Sequence, residues 1–146
     1  MGSAGELRVG RDYTPHFWNQ TVYDPFGTNG VGANVAHTGG SGLSTNLTGV
    51  RASNSIGYFT PTVSGFKGQL MTYMGETLSS AAKAGSGSAA RLTYDAGPLS
   101  LGAAYGRTTT AANTDWRATN FGASFDLGVA KLMGVSSLDK QTGATN

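Results

Sequence analysis

The sequence predicts an all-β protein, an antiparallel up-and-down meander of about seven strands. Large apolar residues alternate with small or polar ones over many short stretches, a period of two that is typical of strands. Turns between these stretches alternate between short and long. The 146 residues include 23 glycines, while only 12% are charged and 10% are aromatic. This composition favours many short strands joined by turns over the thick core of an ordinary soluble protein.

The alternation is clearest in LTYDAGPLSLGAAY, residues 92–105. There one face carries Leu and Tyr side chains, and the other carries small or polar groups. The same pattern continues along the chain, although the facing of the last stretch is ambiguous. The predicted strands are 6–13, 54–61, 66–74, 89–97, 98–108, 118–128 and 129–140. Their lengths suit tilted strands that cross a bilayer, which need roughly 9–11 residues.

The connections differ in length in a regular order. Residues 60–65, 95–98 and 126–129 form tight turns, whereas 77–88 and 109–115 are longer and polar. In an up-and-down meander this order places every tight turn at one edge of the sheet and every long loop at the other. The longest connection, 14–50, lies among the long loops.

Two architectures share this alternation, a soluble β-sandwich and a membrane barrel. A sandwich needs bulky inner faces to fill a core about 10 Å thick, but the apolar faces here carry many Ala, Gly and Thr residues. Aromatic residues also form two predicted rows, like the girdles of an outer-membrane barrel. One row lies near the tight turns and the other near the opposite strand ends: Tyr58, Phe59, Phe66, Tyr94 and Phe125, then Tyr13, Tyr105 and Trp116. Loop order and ring placement favour the barrel.

Several function classes are disfavoured. The net charge is only +2 and no dense Lys/Arg run is present, so we expect no nucleic-acid partner. The chain has no cysteine, and His16 and His37 lack acidic neighbours at ligand spacing, so we expect no metal site. No Ser–His–Asp set stands out, and we expect neither an enzyme nor a cofactor. The opening MGSAG is unlike a signal peptide, so we expect a boundary within a longer chain.

The long segment 14–50 is not a strand. Its first half contains apolar and aromatic residues that need a surface to pack on, followed by the turn sequence DPFG at 24–27. Loops longer than about 12–15 residues are usually functional or disordered. We therefore expect this segment to fold back onto the wall of the barrel.

Four stretches carry a family resemblance: GRDYTPHFWNQTVYDPFGTNGVG (10–32), RASNSIGYFTPTVSGF (51–66), YDAGPLSLGAAYG (94–106) and FGASFDLGVAKL (121–132). They resemble the Gram-negative general porins, most closely the beta-proteobacterial branch. The resemblance implies that residues 1–146 are one central segment of a sixteen-stranded transmembrane β-barrel. Within it, 6–13 is a strand, 14–50 is a constriction loop folded into the pore, and 51–140 is a six-strand meander.

The resemblance also implies a function. A porin of this family would let small hydrophilic solutes diffuse passively across the bacterial outer membrane. Its partners would be membrane lipid and lipopolysaccharide, small anions and other hydrophilic solutes, and two further copies in a homotrimer of the full-length protein. The alternative is a non-transporting cell-surface β-protein, an antigen or adhesion module that binds through its long loops.

Both the alternation along the strands and the family resemblance indicate candidate pore residues. A Lys or Arg facing lipid near the midplane costs about 2–4 kcal/mol, so the alternation predicts that Arg8, Lys67 and Arg91 point into the lumen. By resemblance, Asp24 on the inward loop would face wall arginines, with Arg51 at the position of a constriction arginine. Arg11 is a weaker candidate, because alternation turns it outward. An excess of bases predicts a preference for anions, although Arg51 could instead tie the loop to the wall.

Overall fold

The computed structural model describes residues 4–34, 48–75, 84–111 and 114–142. Seven strands form one sheet in the order of the sequence, and each pairs antiparallel with the next. This confirms the predicted meander. The elements are β1 (Glu6–Tyr13), α1 (Pro15–Tyr23), β2 (Arg51–Phe59), β3 (Phe66–Tyr73), β4 (Gly87–Ala96), β5 (Leu99–Ala111), β6 (Thr114–Asp126) and β7 (Lys131–Thr142).

A β-bulge explains why β2 begins earlier than the alternation suggests. The pairing of β1 with β2 shifts register between Gly10 and Asp12, and Asn54 on the facing strand has a positive φ of 49°. An extra residue in one strand reverses the facing of everything beyond it. The period-two pattern is therefore broken between Ala52 and Ser55, both of which are buried.

The outward face of the sheet carries the large apolar side chains. Leu7, Leu92 and Phe121 are 67%, 53% and 63% exposed, as the alternation predicts for a lipid-facing surface. The opposite, inward face holds the buried residues, among them Ala104 and Asn120. Within the described ranges no second sheet covers the outward face, so the sandwich alternative is wrong.

Two of the predicted girdle aromatics lie on the inward face. Phe59 lies beneath the guanidinium of Arg8, whose carbon is 4.3 Å from the ring centroid. Trp116 is buried and contacts the ring of His16, with 5.6 Å between the centroids. Their assignment to the girdles was wrong because position near a strand end does not determine which face a side chain takes. Tyr58, Phe66, Tyr105 and Phe125 are exposed.

The tight turns join β2 to β3, β4 to β5 and β6 to β7, and the longer connections lie at the other edge. Gly97, with φ of 57°, and Pro98 make the shortest turn. From the long-loop edge, α1 folds over the inward face and packs mainly on β4, β5 and β6. It is a short helix, and no helix among the described residues has the length and apolar character needed to cross a bilayer.

Candidate functional site

The site is the inward face of the sheet together with α1, which lies against it. Pro15 at the first helical position has a fixed φ suited to a helix start. The amide of Trp18 donates to the carbonyl of Thr14 and closes the first turn. The Thr14 amide in turn donates to the carbonyl of Val50, which joins the start of the long segment to its end.

One face of α1 is buried against the wall although it is largely polar. The exposed fraction is at most 3% for each residue of this face, which consists of His16, Asn19, Gln20 and Tyr23. Their spacing is that of neighbours on one helix face. Buried polar groups are stable only when hydrogen-bonded. The wall must therefore supply partners for most of this face.

Asn120 on β6 supplies two of those partners. Its side-chain oxygen accepts from Asn19 Nδ2 at 2.8 Å, and its Nδ2 donates to the carbonyl oxygen of His16 at 2.9 Å. Asn120 is fully buried, so neither bond competes with bulk water. These two hydrogen bonds fix the first two turns of α1 against β6.

Further hydrogen bonds hold the other end of the helix. The hydroxyls of Tyr23 and Ser100 lie 2.9 Å apart. Gln20 Nε2 donates to Ser137 Oγ at 3.0 Å, and that hydroxyl donates to Asn34 Oδ1 at 3.2 Å. The helix is thus joined to β5, β6 and β7.

Three wall glycines make this close approach possible. A Cβ at Gly102 would lie 2.3 Å from Asn19 Oδ1, and one at Gly106 would lie 2.4 Å from His16 Nδ1. A Cβ at Gly122 would lie 2.1 Å from a ring carbon of Tyr23. We call Gly102, Gly106 and Gly122 the glycine seat. Only residues without a side chain let α1 rest directly on the backbone of the wall.

The predicted lumen cations Arg8, Lys67 and Arg91 border one cavity of about 240 Å³ between α1 and the wall. Trp18, Val22 and Phe59 form its apolar part, and Glu6 is the one carboxylate among the described residues that line it. Three cations against Glu6 and Asp12, which both pair with Arg8, leave the cavity with a net positive charge. We call it the basic cavity.

Each cation of the basic cavity is held differently. Arg8 Nε lies 2.6 Å from Glu6 Oε1, and its Nη1 lies 3.2 Å from Asp12 Oδ2. Arg91 donates from Nε to Asn19 Oδ1 at 3.1 Å, so it also positions the helix. The ammonium of Lys67 has no hydrogen-bond or ion-pair partner among the described residues.

Two buried groups beside the cavity lack partners within the described part of the chain. Both side-chain polar atoms of Gln69 are unpaired, as is Trp18 Nε1. Gln69 is only 3% exposed and lines the basic cavity. An unpaired buried amide costs about 1–3 kcal/mol, so these groups offer hydrogen bonds to a solute or water molecule in the cavity.

Asp24 organises the turn that follows α1. Its carboxylate accepts backbone N–H groups from Phe26 at 2.9 Å, Thr28 at 3.2 Å and Asn34 at 2.8 Å. The residue is 4% exposed, and no arginine among the described residues forms an ion pair with it. The structure brings Asp24 to backbone amides, and its predicted role opposite wall arginines remains a prediction.

Arg51 stacks on the start of the helical segment. Its guanidinium carbon lies 4.4 Å from the centroid of the Tyr13 ring, and Nη2 donates to the Tyr13 hydroxyl. Tyr13 in turn stacks on Phe17 with centroids 5.2 Å apart. Arg51 is exposed and lies before the bulge, opposite Tyr13, whereas the exposed Arg11 lies at the register shift in β1. Neither lines the basic cavity.

The residues that dock the helix were not among those predicted from the sequence. The spacing of His16, Asn19, Gln20 and Tyr23 is a helical signal that the polar character of the segment concealed. Asn120 and the glycine seat appeared only as small or polar members of an inward face. For metal binding, the described residues contain no group of three suitable ligands, and His37 lies outside them.

Replacing Asp24 by Ala should loosen the turn, because three backbone N–H groups would lose their acceptor. We expect a cost of about 1–3 kcal/mol to local stability, measured as faster hydrogen exchange at Phe26, Thr28 and Asn34 in the full-length protein. Asp126→Ala is the control, since Asp126 accepts one exposed amide from Gly128 at a tight turn. If the variant left hydrogen exchange unchanged but altered ion selectivity, Asp24 would instead act as a charge in the pore.

The full length of the chain, residues 1–146, matches the family model for Gram-negative porins. Outer membrane porin protein 32 of Delftia acidovorans is 35% identical over 142 residues, which is 92% of this chain and 40% of that protein. Among solved structures, an anion-selective porin from Comamonas acidovorans superposes with a TM-score of 0.79 at 34% identity, covering 97% of this chain and 44% of that one.

A more distant porin supports the fold alone. Salmonella typhi OmpF, solved in complex with daunomycin, superposes with a TM-score of 0.72 at 16% identity and covers 94% of this chain and 43% of its own. The chain thus spans less than half the length of these relatives, and its open seven-stranded sheet corresponds to part of a closed barrel. The family match over every residue and the shared meander lead to one conclusion: the chain belongs to the Gram-negative porin family.

Proposed function

We propose that the full-length protein is a passive diffusion channel for small hydrophilic solutes with a preference for anions. A member of a Gram-negative porin family lies in the bacterial outer membrane. The observation that carries the anion preference is the basic cavity, where Arg8, Lys67 and Arg91 surround one space on the lumen face. Family membership favours this channel over a non-transporting surface protein.

The segment 14–50 acts in this proposal as the constriction. Its helix α1 occupies the inward side of the wall, where solutes would pass in a closed barrel. The helix α1 rests on the backbone at the glycine seat and on short polar side chains of the wall, so the barrel itself holds the constriction in place. A constriction built this way narrows the passage without any conformational step.

Charge in the basic cavity would sort solutes that pass the constriction. Fixed cations beside a narrow, partly apolar passage attract anions and repel cations, and low-dielectric walls strengthen this field. Arg51 and Arg11 would add to the field from the long-loop edge, and Asp24 would oppose it. Transport of this kind involves no catalytic step and no cofactor. The full-length protein would assemble as a homotrimer.

Lys67→Glu is the sharpest test of the proposal, since Lys67 has no partner in the described part of the chain whose loss would disturb the fold. The change alters the lumen charge by two units. At about 10 Å in water at 0.1 M salt, it should lower the anion-to-cation permeability ratio about threefold. The ratio follows from the reversal potential of the full-length protein in planar bilayers under a salt gradient.

Arg117→Glu is the matched control for this experiment, because it also changes the charge by two units. Arg117 lies on the outward face of β6, between the buried inward residues Trp116 and Ala118. Its charge reversal should leave the permeability ratio unchanged. If both variants lower the ratio equally, the selectivity comes from overall charge and the basic cavity has no special role. Bilayers that stay silent with wild-type protein would reject the channel itself.

A further inference from the structure

We propose that the basic cavity is a binding site for an aromatic 2-hydroxy monocarboxylate, a class of which mandelate is a simple member. The inference deepens the proposed function and rests on it, because it names the class of solute that the lumen would retain. A positively charged passage attracts every small anion. A binding site retains one class of anion through shape and hydrogen bonds.

The side chain of Gln69 is the observation that points to a ligand. It is only 3% exposed and lines the basic cavity. Neither its Oε1 nor its Nε2 has a hydrogen-bond partner among the described residues. Buried amides are almost always hydrogen-bonded. A ligand that carries a hydrogen-bond donor and an acceptor side by side would satisfy both atoms.

Strand register determines what lies on each side of Gln69. It is paired with Phe59 of β2 on one side and with Arg91 of β4 on the other. Directly opposite residues have Cβ atoms about 4.5–5.5 Å apart. Lys67 lies two residues along β3 on the same face, about 7 Å from Gln69. An aromatic ring, an amide and two cations are therefore neighbours on the floor of the cavity.

The cationic end of the cavity suits one carboxylate. In the part of the chain that the structure describes, neither Arg91 nor Lys67 forms an ion pair. Arg91 Nε donates to Asn19 Oδ1 at 3.1 Å, which holds the guanidinium in place before a ligand arrives. The third cation, Arg8, is already paired with two carboxylates. Charge-assisted hydrogen bonds from Arg91 and Lys67 would bind a single carboxylate strongly.

The other end of the cavity favours an aromatic ring. It is lined by Trp18 and Val22 of α1 and by Phe59 of β2. Aromatic rings gain more from packing on one another than their buried area alone provides. The volume of about 240 Å³ is smaller than the roughly 300–1,000 Å³ of sites for drug-sized ligands. One ring with short substituents is therefore the size that fits.

The order of these groups defines the ligand. Gln69 lies between the aromatic end and the cationic end, so its partners must lie between the ring and the carboxylate. A hydroxyl on the carbon next to the carboxylate would donate to Oε1, and a carboxylate oxygen would accept from Nε2. An inorganic anion would occupy the cationic end alone and leave Oε1 without a donor.

The test measures binding of mandelate to the full-length porin in detergent by isothermal titration calorimetry. Phenylacetate, which lacks only the hydroxyl, should bind about tenfold more weakly, as expected for the loss of one or two hydrogen bonds. Succinate carries a second carboxylate but no ring. It should bind more weakly than phenylacetate, whereas attraction by charge alone would make it the tightest of the three.

Gln69→Leu retains a similar size and removes both polar atoms, so this variant should bind mandelate and phenylacetate equally. Gln141→Leu is the matched control. It makes the same exchange at an exposed residue near the end of β7, away from the cavity, and should keep the tenfold preference. Lys67→Gln should weaken both ligands about fivefold and also keep the preference, because it removes a partner of the carboxylate only.

Two outcomes would overturn the inference: succinate binding as tightly as mandelate, or a mandelate preference that survives in Gln69→Leu. Chloride conductance of the same preparations in planar bilayers separates the two hypotheses. Protein that conducts but binds mandelate no better than phenylacetate rejects the binding site and keeps the channel. Protein that shows the preference, and loses it in Gln69→Leu, but does not conduct supports the binding site and rejects the channel.

Discussion

Replacing Gly122 by Val should release α1 from the wall of the barrel. The side chain of Tyr23 covers Gly122 so closely that an added Cβ would lie 2.1 Å from a ring carbon, and Tyr23 is fully buried. Forcing a side chain into a packed contact costs about 1–3 kcal/mol. Because α1 belongs to a long connection and β6 to the sheet, the helix should move and the strand should stay.

The expected result is a larger single-channel conductance of the full-length protein, together with faster proteolysis within 14–50. Displacement of Tyr23 would also break its hydrogen bond to Ser100, so partial movement is unfavourable. Gly134→Val provides the control, since a Cβ on Gly134 of β7 would meet no atom within 4 Å. A Gly122→Val channel with wild-type conductance and protease resistance would mean that α1 does not constrict the pore.

Acidification should weaken docking of the same helix through His16. This residue is 1% exposed, its Nδ1 has no partner among the described residues, and its Nε2 lies 3.1 Å from Thr14 Oγ1. Burial lowers the pKa of His16 to about 4 from its ordinary 6.5, although backbone groups of Thr48 and Gly49 oppose part of the effect. The docked helix therefore holds a neutral imidazole.

The direction of the pH effect follows from which state takes up the proton. Above pH 6.5 the ring is neutral whether α1 is docked or released, so docking does not depend on pH. Between pH 6.5 and 4 only the released form binds the proton, and docking weakens by about 1.4 kcal/mol per pH unit. The total loss reaches about 3 kcal/mol near pH 4 and stays constant below it.

Proteolysis within 14–50 and single-channel conductance, followed from pH 7 to pH 4, should both rise as the helix is released. His16→Gln cannot be protonated in this range and should lose the pH dependence. His37→Gln, which changes the other histidine of the chain, should keep it. Identical pH profiles for wild type and His16→Gln would assign the effect to other groups.

The outward face and the strand count were predictable because they depend on local pattern. Residues such as Leu92 and Leu101 take their face from alternation within one strand, and a tight turn such as Gly97–Pro98 fixes the next strand beside it. The inward placement of Lys67 and Arg91 follows from the same alternation. A bulge near Asn54 interrupts the pattern, so the predicted strand began at residue 54 whereas β2 begins at Arg51. Trp116 shows that ring position along a strand gives no information about facing.

The helix and its docking site could not be read from the sequence. Asn19 pairs with Asn120, a residue 101 positions away, and nothing local distinguishes Asn120 from any other polar residue on an inward face. Gly102 and Gly122 likewise look like ordinary small residues until Tyr23 lies on them. The surroundings of Asp24 also could not be predicted, because they depend on the path that the backbone takes after α1.

The sequence by itself determined a two-sided sheet with an apolar outward face, basic residues on the lumen face and a long connection that must fold back. Only the tertiary structure decided where that connection rests and which cations share one cavity. The physical reason is distance along the chain. Alternation is set by covalent neighbours, whereas helix docking and the basic cavity depend on strand register, which brings together residues that no local pattern relates.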